Sequence, residues 1–222
     1  KFTRDDTNYS DGGLSTIGQG PNFPILLTTL VTNTLFVKNH DDYYSGYSSN
    51  AASALYGSKI YFVNCTFADN QSENPDGGNI GVLDNAQMDI YNSILYNDYP
   101  AEIYMFNTND YITNYLSIDH SLVDGGEQNI KITTGNNVLY YDTTNIDTDP
   151  LFYGGEEFPY NLSDESPCID AGTLDLPQFI LDNMPDVDLA GNPRIFNGKI
   201  DMGAYEWNPT VGTEEHPTPN AK

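Results

Sequence analysis

Four stretches decide the reading of this chain: Val31-Thr-Asn33-Thr34-Leu-Phe36, Phe62-Val-Asn64-Cys65-Thr-Phe67, Ile90-Tyr-Asn92-Ser93-Ile-Leu95 and Ile118-Asp-His120-Ser121-Leu-Val123. Each runs apolar, any residue, Asn, small, any residue, apolar, with His in place of Asn in the fourth. Residues 33, 64, 92 and 120 are spaced by 31, 28 and 28, and a fixed period of this length marks stacked structural units. The second and third copies also agree upstream, where Ala54-Leu-Tyr-Gly-Ser-Lys-Ile60 lies over Val82-Leu-Asp-Asn-Ala-Gln-Met88. The repeat therefore covers most of a unit rather than six residues.

Within a copy, Phe62 and Asn64 share one parity while Cys65 and Phe67 share the other. A strand alternates faces at every residue, so no straight strand turns both apolar ends toward one core. A corner has to fall between Asn64 and Cys65. Asn is the non-glycine residue most at ease in the left-handed region a tight corner demands, and stacked Asn corners can hydrogen-bond to one another along the stack. The intervening strands are rich in Ile, Val, Phe and Tyr, the turn signals are Gly12-Gly13, Asp76-Gly77-Gly78, Asn97-Asp98 and Gly125-Gly126, and no helical pattern of ten residues occurs. The expected fold is all-β, a parallel β-solenoid. Phe36, Phe67, Leu95 and Val123 stack on one strand position, and Val31, Phe62, Ile90 and Ile118 on its neighbour. Because Lys1-Phe2-Thr-Arg-Asp-Asp aligns with Leu35-Phe36-Val-Lys-Asn-His, the chain is expected to start within a coil of a longer solenoid.

Composition narrows the function. In 222 residues, 32 Asp and Glu face 8 Lys and Arg, a formal charge of −24 that repels phosphate backbones and anionic lipid surfaces. Nucleic acid is excluded as a partner. The longest apolar stretch, Phe23 to Val37, is interrupted by Pro24, Thr residues and Asn33, so no membrane insertion of this chain is expected. Cys65 and Cys168 are too far apart in sequence for a zinc knuckle or a redox pair, and read as separate buried thiols, with a long-range disulfide as the alternative.

Past Asn145 the repeat gives way to Asp149-Pro-Leu-Phe152, then Ser166-Pro-Cys-Ile-Asp-Ala-Gly172, Asp188-Leu-Ala-Gly-Asn-Pro-Arg194 and Ile200-Asp-Met-Gly-Ala-Tyr-Glu206. With the Asn-corner repeat, this ending resembles secreted right-handed parallel β-helix proteins of the pectate-lyase-like superfamily. More closely, it is similar to bacterial surface proteins whose helix ends in a DPLF, SPxIDAG, GNPR, IDxGAYE block before a variable anchor. The resemblance covers about residues 1 to 207 and implies single-stranded coils over 1–145, a closing and capping segment over 146–207, a linker or tail over 208–222, and an extracellular or cell-surface location.

Candidate chemistry is sparse. Asp41 and Asp42 follow His40 like the paired Asp of the superfamily's pectin hydrolases, but the companion elements of those enzymes are missing, and adjacent charges ordinarily form a solvated loop. Calcium is the one cofactor the acidity suggests, with Asp186 and Asp188 as ligands. Asp186-Val-Asp188-Leu-Ala190-Gly191 imitates the start of an EF-hand loop, but Ala190 cannot ligate and Asn197 stands where the loop needs Glu. Arg194, six residues after Asp188, is expected to pair with Asp188 or Asp201 and pin the closing segment. Tyr43, Tyr44 and Tyr47, with Tyr96 and Tyr99 two coils later, form the expected ligand-binding surface, since flat aromatic rings beside Asn and Asp suit sugar rings. Asn33, Asn64, Asn92 and His120 are read as structural corners. The leading functional expectation is a non-catalytic surface module for adhesion, surface assembly or glycan binding, with glycans or other surface proteins as partners. The alternatives are a polysaccharide lyase or glycoside hydrolase of the same superfamily, and a filament or sheath subunit that self-associates through its solenoid ends.

Overall fold

The computed structural model describes residues 14–20, 27–41, 49–74, 78–108 and 110–208. The strands come in passes along the chain. The first supplies β1 (Leu14–Ile17), β2 (Leu27–Thr32), β3 (Leu35–Val37) and β4 (His40–Asp41), and the second β5 (Ser49–Leu55), β6 (Ser58–Val63), β7 (Thr66–Ala68) and β8 (Gln71–Ser72). The third supplies β9 (Gly78–Leu83), β10 (Gln87–Tyr91) and β11 (Ile94–Tyr96), and the fourth β12 (Ile103–Phe106), β13 (Thr113–Asp119) and β14 (Leu122–Val123). The last supplies β15 (Ile130–Ile132) and β16 (Asn136–Tyr141). They assemble into three larger sheets, ordered β1-β5-β9-β12-β15, β16-β13-β10-β6-β2 and β14-β11-β7-β3, with a small β4-β8 pair beside them. Every strand pair among the described residues is parallel. The protein is thus all-β with parallel sheets, and each complete pass contributes one strand to each sheet in the same order.

The register aligns the repeats. Phe36 pairs with Phe67, Phe67 with Leu95 and Leu95 with Val123 in the third sheet. In the second sheet Val31 pairs with Phe62, Phe62 with Ile90 and Ile90 with Ile118. All of these but Val31, with Ala54, Ile80, Val82, Ile103 and Met105 from the first sheet, form one buried apolar cluster, and half-buried Val31 packs against it. The Phe36 and Phe67 rings stack at 4.6 Å and 4°, while Phe62 meets Phe67 edge-on at 5.1 Å. Full burial of one such ring contributes roughly 1.5–3 kcal/mol.

Asn33, Asn64, Asn92 and His120 have φ of 48°, 53°, 49° and 44°, each between a strand of the second sheet and one of the third. Their side chains do not form the Asn-to-Asn ladder anticipated from the repeat. Asn33 Nδ2 donates to the Val187 carbonyl at 2.7 Å and Asn64 Nδ2 to that of Asp201 at 3.0 Å. Asn92 Nδ2 donates to the Thr173 carbonyl at 2.9 Å, and its Oδ1 accepts the Thr173 N–H at 2.7 Å. The side chain at this corner projects away from the core, toward residues 146–207. The rung between passes belongs instead to the small residue that follows: the Cys65 N–H donates to Ser93 Oγ, the Ser93 N–H to Ser121 Oγ and the Ser121 N–H to Asn145 Oδ1, at 3.1, 3.1 and 3.0 Å.

Residues 146–207 therefore run back along a flank of the sheets, reaching the first pass, instead of only covering the last one. They contain a single α-helical turn, α1 (Gln178–Leu181). Leu35, Val37 and Ala68 pack under Tyr160, Ala204 and Tyr205, and Ile94 and Leu122 under Leu162, Cys168 and Met202. Ile180 of α1 packs with Val63 and Tyr61 on the second sheet. Gly203 makes the approach feasible: at φ 95°, a Cβ there would lie 2.7 Å from Ile94 Cδ1 and 3.0 Å from Thr66 Oγ1.

Arg194 is 1% exposed and pins this segment, but its partner differs from the expected Asp188 or Asp201 side chain. Its Nη2 lies 2.9 Å from Glu206 Oε1 and donates to the carbonyls of Gly203 and Asp201 at 2.8 and 3.2 Å. The two aspartates are otherwise occupied. Asp188 Oδ1 accepts the N–H groups of Ala190 and Asn192, its Oδ2 accepts the Glu206 N–H and Asn192 Nδ2, and Asp201 accepts the N–H groups of Asp170 and Trp207. Burial pushes the Glu206 carboxyl up to about 8 against the pull of Arg194, and the nearby Asp201 and Asp188 carboxylates push the same way. Cys65 and Cys168 are separate, unbridged and buried, and burial pushes both thiols up to about 12.

Candidate functional site

A second set of left-handed corners closes each pass after the third sheet. Lys38, Asp69, Asn97 and Gly125 have φ of 56°, 58°, 58° and 73°, on the same spacing as the Asn corners. The residue that follows each of the first three is buried and polar, and these make a ladder. Asn39 donates from N and Nδ2 to Asn70 Oδ1 at 3.0 and 2.7 Å; Asn70 donates from N to Asp98 Oδ1 at 2.7 Å and from Nδ2 to both Asp98 oxygens at 3.0 and 3.1 Å. Behind the ladder, the Asp98 N–H donates to Glu102 Oε1 at 3.1 Å, and Glu102 is fully buried. Burial raises the Asp98 carboxyl to about 8, opposed by the Asn70 hydrogen bonds, and burial next to Asp98 raises Glu102 well above its ordinary range. Two carboxyls this close and this dry resist ionising together.

Over these corners lies a groove of about 510 Å³, lined by Lys38, Asn39, His40, Asp69, Gln71 and Asn97. The pairing of β4 with β8 sets His40 beside Gln71, and a bridge sets Gln71 beside Tyr99. Tyr99 stands 64% exposed at the edge. The carboxylate in the lining, Asp69, is engaged on both oxygens: Oδ1 accepts Asn97 Nδ2 at 2.7 Å and Oδ2 accepts the Tyr160 hydroxyl at 2.9 Å. The groove thus presents amides, an ammonium, an imidazole and one tied carboxylate, a lining suited to hydrogen-bonding a polyhydroxylated ligand. The buried Asp98–Glu102 pair is sealed behind it.

Of the tyrosines read as ligand-binding, Tyr43, Tyr44 and Tyr47 lie outside the described residues, as does Asp42. Tyr96 and Tyr99 do not share a surface. The left-handed Asn97 turns the chain between them, so Tyr96 packs edge-on to Phe152 at 6.0 Å beneath the closing segment while Tyr99 faces solvent next to the groove. Asp186 is exposed and Asp188 buried, and the four N–H donors on Asp188 take the lone pairs a calcium ion needs. Among the described residues no group of three or more His, Cys, Asp or Glu is arranged to hold a metal ion, and no helix is long and apolar enough to cross a membrane. His120 Nδ1 lies 2.6 Å from Asp119 Oδ1 at its corner. Of the groove residues, Asn39 and Gln71 carry no role in the sequence reading, and Asn97 reads there only as part of a turn. The signal was the Asn39, Asn70, Asp98 series, which repeats at 31 and 28 residues like the corners before it. Compared with protein-family models, with curated proteins and with solved structures, the chain matches none.

Proposed function

We propose that the three parallel sheets are the walls of a right-handed parallel β-helix, and that the chain is a non-catalytic extracellular module of a bacterial surface that binds neutral glycans, for adhesion or surface assembly. The observation that carries the binding reading is the groove over the second corners, where Lys38, His40, Gln71 and Asn97 lie together with exposed Tyr99 at the edge. A pyranose ring has an apolar face of C–H bonds and a rim of hydroxyls, which suit a tyrosine ring and a row of amides respectively. The charge of −24 disfavours polyanionic chains. The fixed hydrogen bonds on both Asp69 oxygens favour binding over proton transfer, because a general base must be open to the proton it takes. The surface location rests on the resemblance of the Asn-corner repeat and closing block to secreted β-helix proteins.

The test is calorimetric titration with neutral and uronate-containing oligosaccharides, beside an assay for new reducing ends and unsaturated products. Saturable binding of a neutral glycan, weakened about tenfold by Tyr99→Ala and by Gln71→Ala, is expected. Turnover of any polysaccharide, or binding unaffected by both variants, would contradict the reading.

A further inference from the structure

The closing segment carries a pocket that the groove does not explain. Phe196-Asn197-Gly198-Lys199 is a two-residue hairpin: Phe196 and Lys199 exchange both backbone hydrogen bonds at 3.0 Å, and Asn197 and Gly198 take φ of 52° and 76°. This is the turn geometry in which Asn-Gly is strongly favoured, and it makes a short, stiff flap. Near the flap, in the lining of the same cavity, is Trp207, held by its backbone N–H on Asp201 Oδ2 at 2.6 Å and by its indole Nε1–H on Asp164 Oδ1 at 3.0 Å. The cavity, of about 270 Å³, is lined also by Ile169, by the buried Asp201 and Glu206 and by the exposed Asp170.

We propose that this cavity is a second binding pocket, which takes a single neutral sugar ring against Phe196 and Trp207. It shares no residue with the groove over the second corners. Two aromatic side chains in the lining of one small cavity suit the apolar face of a flat, weakly polar ring. The acidic groups in and behind the pocket already have partners. Asp170 pairs with Lys199 at 2.8 Å, Asp201 accepts two backbone N–H groups, and Glu206 meets buried Arg194 at 2.9 Å. A cationic ligand would find no unmatched anion, and an anionic one would face three carboxyl groups. Hydroxyls, in contrast, can join the exposed Asp170–Lys199 pair without displacing it. Phe196 is 45% exposed, a large apolar ring left at the mouth of a cavity by a hairpin that needs no ligand to form.

The chain contains one tryptophan, and it is in this pocket, so its emission reports on this site alone. Trp207 fluorescence is followed while methyl glycosides of glucose, galactose, mannose and N-acetylglucosamine are added to the full chain, to on the order of 100 mM, above the millimolar constants such small ligands reach. A saturable change with at least one glycoside is expected, weakened about tenfold in Phe196→Ala and in Asp170→Asn and unchanged in Tyr99→Ala. Phe196 and Asp170 are exposed, and circular dichroism of each variant checks that the fold is retained. No response to any neutral glycoside overturns the proposal, and so does a response to n-butylamine or acetate in place of the sugars. A sugar response abolished by Tyr99→Ala assigns binding to the groove and overturns the second pocket. Loss of calorimetric binding to the groove with the Trp207 response intact overturns the groove reading alone.

Discussion

Replacing Asn92 separates two demands that the corner makes on one residue. Its backbone sits at φ 49°, and its amide holds both polar groups of Thr173, at 2.9 and 2.7 Å. Asn92→Gly keeps the left-handed backbone without steric cost but leaves the Thr173 N–H and C=O without their partner. Thr173 is only partly buried, so water recovers part of each bond, and a loss of about 1 kcal/mol per bond gives about 2 kcal/mol. The added freedom of glycine in the unfolded chain brings the total to roughly 2.5–3 kcal/mol. Asn92→Ala loses the same hydrogen bonds and keeps a Cβ in the left-handed region without the short polar side chain that makes Asn tolerant there, a cost of about 1–2 kcal/mol relative to glycine. Since alanine lacks glycine's unfolded-state freedom, the alanine variant should lie below the glycine variant by about 0.5–1 kcal/mol. His120→Gly is the contrast. His120 also has a left-handed backbone, φ 44°, and its ring Nδ1 meets the neighbouring Asp119 instead of holding the closing segment, so relief of strain should roughly offset glycine's unfolded-state freedom and leave the variant near neutral. Urea unfolding, with a slope common to all four proteins, measures each difference. A glycine variant within about 0.5 kcal/mol of the parent, or an alanine variant as stable as the glycine one, would refute this account of the corner.

Other perturbations test other layers. Phe67→Ala empties the fully buried position between Phe36 and Phe62 and should cost about 3–5 kcal/mol in the same unfolding assay, with a loss under about 1 kcal/mol contradicting the stacked core. Gly203→Ala places a methyl against Ile94 and Thr66 at a positive φ and should destabilise by about 2 kcal/mol or more, while the exposed Gly198, with open space around it, should tolerate alanine better. Asp98 and Glu206 keep protons in the folded chain up to about pH 8 that the unfolded chain releases near pH 4, so the folded state binds more protons across that window. Stability should therefore be greatest at mildly acidic pH and fall as pH rises toward 8, with Asp98→Asn flattening the slope. Stability that rises over this range would reverse the assignment.

The repeat was legible because a left-handed corner restricts residue type: Asn at 33, 64 and 92 stands out where few side chains tolerate φ near 50°. The parity change across each corner then placed Phe36 over Phe67 and Phe62 over Ile90. The second corner has the same backbone but is occupied by Lys38, Asp69, Asn97 and Gly125, four residue types that do not read as one motif. The direction of the Asn side chains was equally hidden. Either a neighbouring corner or a distant carbonyl satisfies an amide, and only the path of residues 146–207 along the flank decides it. The same holds for Arg194, whose three acidic neighbours are all near in sequence. Asp188 and Asp201 are engaged by backbone N–H groups, which leaves Glu206 as its partner.

The most direct test of the stacked passes is a series of spin-label distances along one row of the second sheet, where Thr28, Lys59, Gln87, Tyr115 and Val138 pair in register on successive strands. From a label at residue 28, backbone separations to residues 87, 115 and 138 should climb by about 4.8 Å per strand, to about 19 Å at the last. Separations that do not increase in this order, or a distance from 28 to 138 well outside that value, would contradict the parallel stack on which the groove, the flanking segment and the glycan pocket all depend.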